Sequence, residues 1–205
     1  MRGLIGAANR RRIEGIAEVV DECLPPSIGS LLDVGCGDGE LAGLLLARRA
    51  GLVIEGLEVV VPPACQIAVR EYDGRSLPFA DGSFDAVLAA DMLHHTTDPG
   101  QILAEALRVA RQLVVVKDHV VEGRWERKWL ALLDWIGNVG SGVPMPYNFL
   151  SAAEWDEVFE RLEARVVWRR DRLEYWPWPV SAVLDRNFHF VTVIRRDAVA
   201  NGRVR

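Results

Sequence analysis

A chain of 205 residues with 24 basic and 29 acidic side chains, a formal charge of −5 and 50% hydrophobic residues has the make-up of one soluble globular domain. Its acidic balance and lack of a long basic run argue against a partner gripped through a phosphate backbone, so no nucleic acid is expected. Apolar runs such as 59–65 and 86–90 fall far short of the roughly 20 residues that cross a bilayer, and the basic cluster at 10–12 stands in the wrong order for a secretory signal. No membrane partner and a cytoplasmic location are therefore expected.

Residues 9–23 set Ile13, Ile16, Ala17 and Val20 at helical spacing, and Pro25-Pro26 ends that helix before the apolar run at 31–34. A Gly-rich turn leads into Leu41, Leu44 and Leu45, spaced for a second helix, and 52–58 reads as a short buried strand, completing a β-α-β unit. Further strands are expected at 67–72, 84–90 and 113–117, with a helix carrying Ile102, Leu103, Ala106 and Leu107 between the last two. Beyond 118, Trp125, Trp129, Leu132, Leu133 and Ile136 form one helical stripe, with Trp129 read as core, and a Gly-containing loop follows at 137–147. Ser151 and Glu154 make a capping-box pattern ahead of Trp155, Val158, Phe159 and Leu162. Strands at 165–168 and 188–195, joined by the Trp-Pro stretch at 175–179, close the sheet. The fold class is α/β: a doubly wound, mostly parallel seven-stranded sheet with a helical lid insertion.

The run Leu31-Leu32-Asp33-Val34-Gly35-Cys36-Gly37-Asp38-Gly39 is a buried strand entering alternate glycines and then a helix, at the sheet edge where open α/β folds bind ligands. Without Cβ atoms the loop can bring its main chain against a ligand. A dinucleotide fingerprint needs G-x-G-x-x-G, but Glu40 stands at the third glycine and would repel phosphate. The G-x-G-x-G spacing behind Asp33 instead suits a ligand with a zwitterionic amino acid at one end and a nucleoside at the other. Glu58 ends the second strand, where an acid accepts ribose hydroxyls. Asp73 ends the third and is placed to accept from an adenine amine, with Leu77 and Phe79 expected to cover the ring. Cys36 has no basic neighbour in sequence and reads as small filler. With Cys23 and Cys65 it makes no C-x-x-C pair, so neither a disulfide framework nor a zinc site is suggested.

The segments LLDVGCGDGELAGLL, GLE and YDGRSLPFADGSFDAVLAADMLHH, with the helix after them, resemble class I S-adenosylmethionine-dependent methyltransferases. The likeness covers residues 28–117 and is greatest to the small-molecule type with an L-P-F-x-D-x-S-F-D signature. It implies a Rossmann-like sheet with S-adenosylmethionine as cofactor. Asp33, Gly35, Cys36, Gly37 and Gly39 would hold the methionine part, Glu58 the ribose, and Asp73 and Gly74 the adenine, with Val59 also among the cofactor-binding residues. Asp91 and Met92 complete the set, and His94 and His95 border the sulfonium. A single domain is expected, with a helix at 1–27 covering the site, a cofactor-binding core at 28–118, a lid at 119–150 and closing elements at 151–205. The K-P-G-G turn usual before the fifth strand is replaced by Ala110-Arg111-Gln112.

Methyl transfer from a sulfonium needs alignment above all, and a base only if the acceptor enters protonated. His94, His95 and the pair Asp118-His119 all follow predicted strands on the cofactor edge. His119 is the leading base candidate, with Asp118 or Asp91 to orient it. Adjacent His-His and Asp-His pairs lack regular ligand spacing, so no metal is expected. Asn138, Met145, Tyr147, Asn148 and His189 are candidate lining of an acceptor pocket. Arg10, Arg11 and Arg12 read as a solvated helix face, or as contacts to the cofactor carboxylate if that helix folds over the site. The expected reaction is methylation of a small, partly apolar acceptor at O, N or C, releasing S-adenosylhomocysteine. The rivals are a noncatalytic cofactor-binding scaffold and an NAD-dependent oxidoreductase.

Overall fold

The protein is described by a computed structural model over residues 2–138, 147–173, 175 and 188–196. Strand β1 (Ser30–Val34) carries Leu31, Leu32, Asp33 and Val34 into the interior without alternation, as a strand covered on both faces must. It pairs in parallel with β2 (Val53–Glu58) on one side and β4 (Phe84–Ala90) on the other. β3 (Ala68–Glu71) extends the sheet beyond β2, and β5 (Ala110–His119) lies parallel to β4. β7 (His189–Arg196) runs antiparallel between β5 and β6 (Ala164–Arg170), so the order is β3-β2-β1-β4-β5-β7-β6. The chain reverses its direction of travel across the sheet between β1 and β4, and an open crevice results at their carboxyl ends.

Helices cover both faces. α1 (Arg2–Cys23) and α2 (Glu40–Arg48) bury Ile16, Val20 and Leu45 over Leu31, Leu88 and Val115. On the other face α3 (Pro99–Val109) and α5 (Ala152–Arg161) bury Leu103, Ala106, Trp155 and Phe159 over Val87, Val114 and Phe190. Asp98 caps α3 by accepting from the Gln101 N–H, and Pro99 fills the first helical position, where a missing N–H costs nothing. Ser151 and Glu154 form the reciprocal capping box of α5. α4 (Arg124–Asn138) follows β5.

Two differences from the sequence reading bear on the site. β5 is twice the expected length at its carboxyl end and beginning together, running from Ala110 through His119, because β7 supplies ladder partners past the apolar run: Asp118 lies opposite Phe190 and His119 opposite His189. Asp118 and His119 are therefore inside the sheet rather than beyond it. On α4, Trp125, Trp129 and Leu132 of the expected stripe are exposed, while Leu130 packs with Val121, Phe149 and Phe188; the side chains of Leu133 and Ile136 lie outside the described residues. The remaining elements match within a few residues, α1 beginning earlier than expected. The Trp-Pro stretch lies outside the described residues apart from Tyr175, which is buried.

Candidate active site

The turn after β1 is held by Leu57 of the neighbouring strand, whose carbonyl accepts from the N–H groups of Gly35 and Cys36. Gly35 sits at φ 71°, and a Cβ there would meet Met92 Cβ at 2.6 Å, so the turn tolerates no side chain. Gly37, at φ 56°, has nothing within 4 Å of where a Cβ would stand, and its N–H donates to Glu58 Oε2 at 2.8 Å. The other oxygen of Glu58 accepts from the Val59 N–H at 2.8 Å. Beneath the turn lies Asp33, 2% exposed, with Oδ2 lacking any hydrogen-bond partner. Burial, and then the charge of Glu58, pushes the Asp33 carboxyl up to about 7. At the tip of β3, Asp73 accepts from the N–H groups of Ser76 and Arg75, which lower its pKa.

These tips bound a cavity of about 770 Å³, within the range of small-molecule sites. Gly35, Gly37, Glu58, Val59, Asp73, Gly74, Asp91 and Met92 line it as expected, joined by Val60, Val61, Pro62, Pro63, Tyr72 and Arg75 along β2 and β3. At the β4 end its wall is His95, Thr96 and Thr97. Other expectations are corrected. Leu77 and Phe79 do not cover this cavity: Leu77 is buried in the core and Phe79 packs edge-on against Phe84. Cys36 turns its thiol into the space that the absent side chain of Gly56 leaves, and burial raises its pKa far out of reach of neutral pH. Gly39, buried at the start of α2, and Asp33, buried beneath the turn, are not among the residues that line this cavity.

The β4–β5 side is more heavily charged than the sequence suggested. Asp91, directly after β4, takes a left-handed conformation at φ 53°, rare for a residue with a side chain. It is fixed there by its own N–H to the Lys117 carbonyl, by Lys117 Nζ on Oδ1, and by Arg12 from α1 on Oδ2 at 2.6 Å. Burial opposes ionisation of Asp91, but Lys117 and Arg12 prevail and hold it well below the carboxylate range. Lys117 is fully buried, which draws its pKa down against the pull of Asp91, and its Nζ lies 3.3 Å from His189 Nδ1. Arg12 is thus a structural partner of Asp91, whereas Arg10 stays on the solvated face.

A second cluster sits beside it. Asp118 Oδ1 lies 2.7 Å from His94 Nδ1, accepts from the His119 N–H at 2.7 Å, and is 3.3 Å from His119 Nδ1, while Oδ2 accepts from the Leu93 N–H. Desolvation lowers His119 to about 4, and burial with the Lys117 charge lowers His189 well below the usual imidazole range. His119 was the leading base candidate, but it does not line the cavity and is wedged among His94, His189 and Phe149. His95 reaches the wall, its ring 4.1 Å from that of His94. Tyr147, Asn148 and His189 lie behind the wall: the Asn148 N–H donates to the His94 carbonyl, and its side chain to the Thr96 carbonyl. Met145 lies outside the described residues, as does the side chain of Asn138. Ligand atoms of Asp91, His119 and His189, and of His94, Asp118 and His119, lie within 4.8 Å of one another, yet a metal at the first set would have to displace the Lys117 ammonium from Asp91.

The site passes a test for an adenosyl amino acid. Asp33 is a buried, unpartnered carboxylate oxygen beside a turn of bare backbone, which suits a ligand ammonium. The Glu58 oxygens each keep a lone pair for ribose hydroxyls, and among the described residues the lining includes none of 38–40 at the start of α2. Lys117, Thr96 and Thr97 were missed by the sequence reading. A charged K-D-H placed straight after the apolar run at 113–116 was the available signal for Lys117.

Residues 32–115 match the family model described as a methyltransferase domain. The O-methyltransferase cnsE of Penicillium expansum is 35% identical across 50% of this chain and 47% of its own length. The 27-O-demethylrifamycin SV methyltransferase of Amycolatopsis mediterranei is 32% identical across 40% and 34%. The chain therefore spans about half or less of the length of the curated relatives it matches. Among solved structures, geranyl diphosphate methyltransferase in complex with S-adenosylmethionine superposes with a TM-score of 0.67 at 16% identity, over 90% of this chain and 85% of that one, a likeness of fold. With the glycine turn, the acidic strand tips and the sheet order already in place, residues 32–115 are similar to a methyltransferase domain, and the fold is like that of a methyltransferase solved with S-adenosylmethionine.

Proposed function

We propose that this protein transfers a methyl group from S-adenosylmethionine to a small, partly apolar acceptor, releasing S-adenosylhomocysteine. The observation that carries the reading is one continuous cavity running from the acidic tips of β2 and β3 to the imidazole of His95 at β4. When bound, S-adenosylmethionine supplies a methyl group on a positively charged sulfur, an activated electrophile. Glu58 and Asp73 orient the nucleoside, Asp33 and the Gly35–Gly37 backbone hold the amino acid, and Asp91 and Met92 close the floor. Oxygen is the favoured acceptor atom, supported by the names of the Penicillium and Amycolatopsis relatives, both of which specify an O-methyl group.

For a hydroxyl acceptor, His95 takes the proton as the oxygen attacks. Among the described residues it is the one histidine on the cavity wall. His94 backs it, and buried Asp118 fixes the His94 ring through Nδ1. Burial opposes the charge of Asp118, but His94 and the hydrogen bond from His119 hold it ionised. His95→Gln is expected to lower kcat at neutral pH by about 100-fold or more, the usual worth of a positioned base, and to flatten the acidic limb of the pH–rate profile. An unchanged profile would remove His95 from proton transfer.

The reading as a whole is tested by calorimetric titration and by labelled methyl donor. Saturable S-adenosylhomocysteine binding, with label passing to a low-molecular-weight product from cell extract, is the expected outcome. Saturable NAD binding without S-adenosylhomocysteine binding would replace the methyltransferase with an oxidoreductase. Cofactor binding with no transfer to any metabolite pool would favour the scaffold.

A further inference from the structure

No helix among the described residues is long and apolar enough to cross a membrane, but a helix that lies on a membrane needs only one apolar face. α4 has such a face. Trp125 is 80% exposed, Trp129 41% and Leu132 46%, and their spacing of four and three residues puts them in one row. Leu130, on the opposite side, packs against Phe149 and ties the helix to the body of the protein. A row of two tryptophans and a leucine in water carries a large hydrophobic cost unless something covers it.

The charge around the row indicates what that cover is. The chain is acidic overall, at −5. Around this face, however, Arg124 and Lys128 are exposed cations, and Lys128 Nζ stands 5.1 Å from the Trp125 ring, whereas Arg127 turns inward to donate to the Phe149 carbonyl. The one acid within this turn, Glu126, is committed to the backbone N–H groups of Glu122 and Gly123. Tryptophan at the boundary of water and hydrocarbon, flanked by cations, fits an anionic lipid surface: the rings enter the headgroup layer while the cations meet lipid phosphates. α4 also follows directly from the carboxyl end of β5, the strand that carries Asp118 and His119.

We propose that the Trp125–Trp129–Leu132 face of α4 docks this protein on anionic lipid, so that an apolar acceptor dissolved in the bilayer is delivered at the β4–β5 end of the cleft. The delivery clause rests on the methyl-transfer reading, whereas the docking does not. The sequence-based expectation of no membrane partner followed from the lack of a spanning run, which says nothing about a surface-lying helix.

Sedimentation of the full chain with vesicles of phosphatidylcholine alone, and with about 30% phosphatidylglycerol, tests the docking. The expected result is binding to the anionic vesicles, weakened by salt and reduced at least about tenfold in Trp125→Ser/Trp129→Ser. Arg124→Glu/Lys128→Glu is expected to abolish the preference for phosphatidylglycerol. Wild-type protein that stays in the supernatant with both vesicles, or a double tryptophan variant that binds as well as wild type, would overturn the proposal. So would a concentration-dependent dimer in sedimentation velocity that the tryptophan variant dissolves, since the face would then belong to a second copy. S-adenosylhomocysteine affinity, measured separately on each variant, reports on folding and on the cofactor reading independently of the vesicles.

Discussion

Asp33→Asn is expected to make the ligand-free protein more stable above neutral pH while costing it cofactor affinity. The folded carboxyl titrates at about 7 instead of the usual 3.8, because burial and the Glu58 charge disfavour its ionised form. Between those two values the folded state keeps a proton that the unfolded chain has lost. The contribution of this group to stability therefore falls as pH rises from about 4 to about 7 and stays low above that. At roughly 1.4 kcal/mol per unit, removing the charge returns a few kcal/mol at pH 8 and almost nothing at pH 4. Denaturant titrations at the two pH values would show it, and equal shifts at both would refute it. Binding should move oppositely. An ammonium seated beside Asp33 favours the ionised carboxyl, so S-adenosylhomocysteine should bind more tightly as pH approaches 7 and expel a proton from Asp33. Calorimetry in buffers of different ionisation enthalpy reads that proton directly. Asp33→Asn should lose both the proton release and about tenfold or more in affinity.

Lys117→Met should be among the most damaging single changes in the molecule. Removing one member of a buried ion pair leaves the other charged without adequate compensation, typically costing about 3–5 kcal/mol. Arg12 still reaches Asp91 from the solvent side, so the loss should fall at the lower end, and a drop in thermal midpoint reports it. The pair also pins Asp91 in its left-handed conformation, a strain of about 1–3 kcal/mol that surrounding contacts must offset. A second consequence separates this from generic destabilisation. Burial is the main cause of the low pKa of His189 and His119, and the Lys117 charge adds to it. Without that charge both imidazoles should titrate closer to 6.5, visible in their NMR shifts. Since each is depressed in the fold, each contributes stability that is present above about 6.5 and lost as pH falls through the folded value, about 4 for His119. Lys117→Met should shrink that window. His189 and His119 resonances that do not move would show that Lys117 does not set their titration.

Much of the cavity's lining along β1, β2 and β3 was legible because its signals are local. Alternate glycines, an acid at the end of β2 and another at the end of β3 each sit within a few residues of the strand that positions them. The β-α-β alternation fixed the order in which those strands reach one edge. The β4–β5 side was less legible because its geometry depends on β7, which is distant in sequence. Pairing with Phe190 and His189 draws Asp118 and His119 into the sheet and converts the expected base into a buried neighbour of the Asp118 carboxylate. Lys117 was hidden for the same reason: nothing in its local pattern says that Asp91 and Arg12 will arrive beside it. The α4 stripe misled because helical periodicity marks an apolar face without saying whether protein covers it. Leu77 and Phe79 were near the adenine position in sequence, but the core claimed them.

Glu58 has a double duty whose effect extends to any attempt at redesign. Its two oxygens already fasten the Gly37 and Val59 amides, so the group expected to recognise the sugar is also the clasp that shapes the glycine turn. Sugar preference and turn shape are thereby inherited together. A variant at this position cannot be tuned toward an altered ribose without loosening the seat of the amino acid, and a loss of affinity there overstates what the hydroxyl contacts alone contribute.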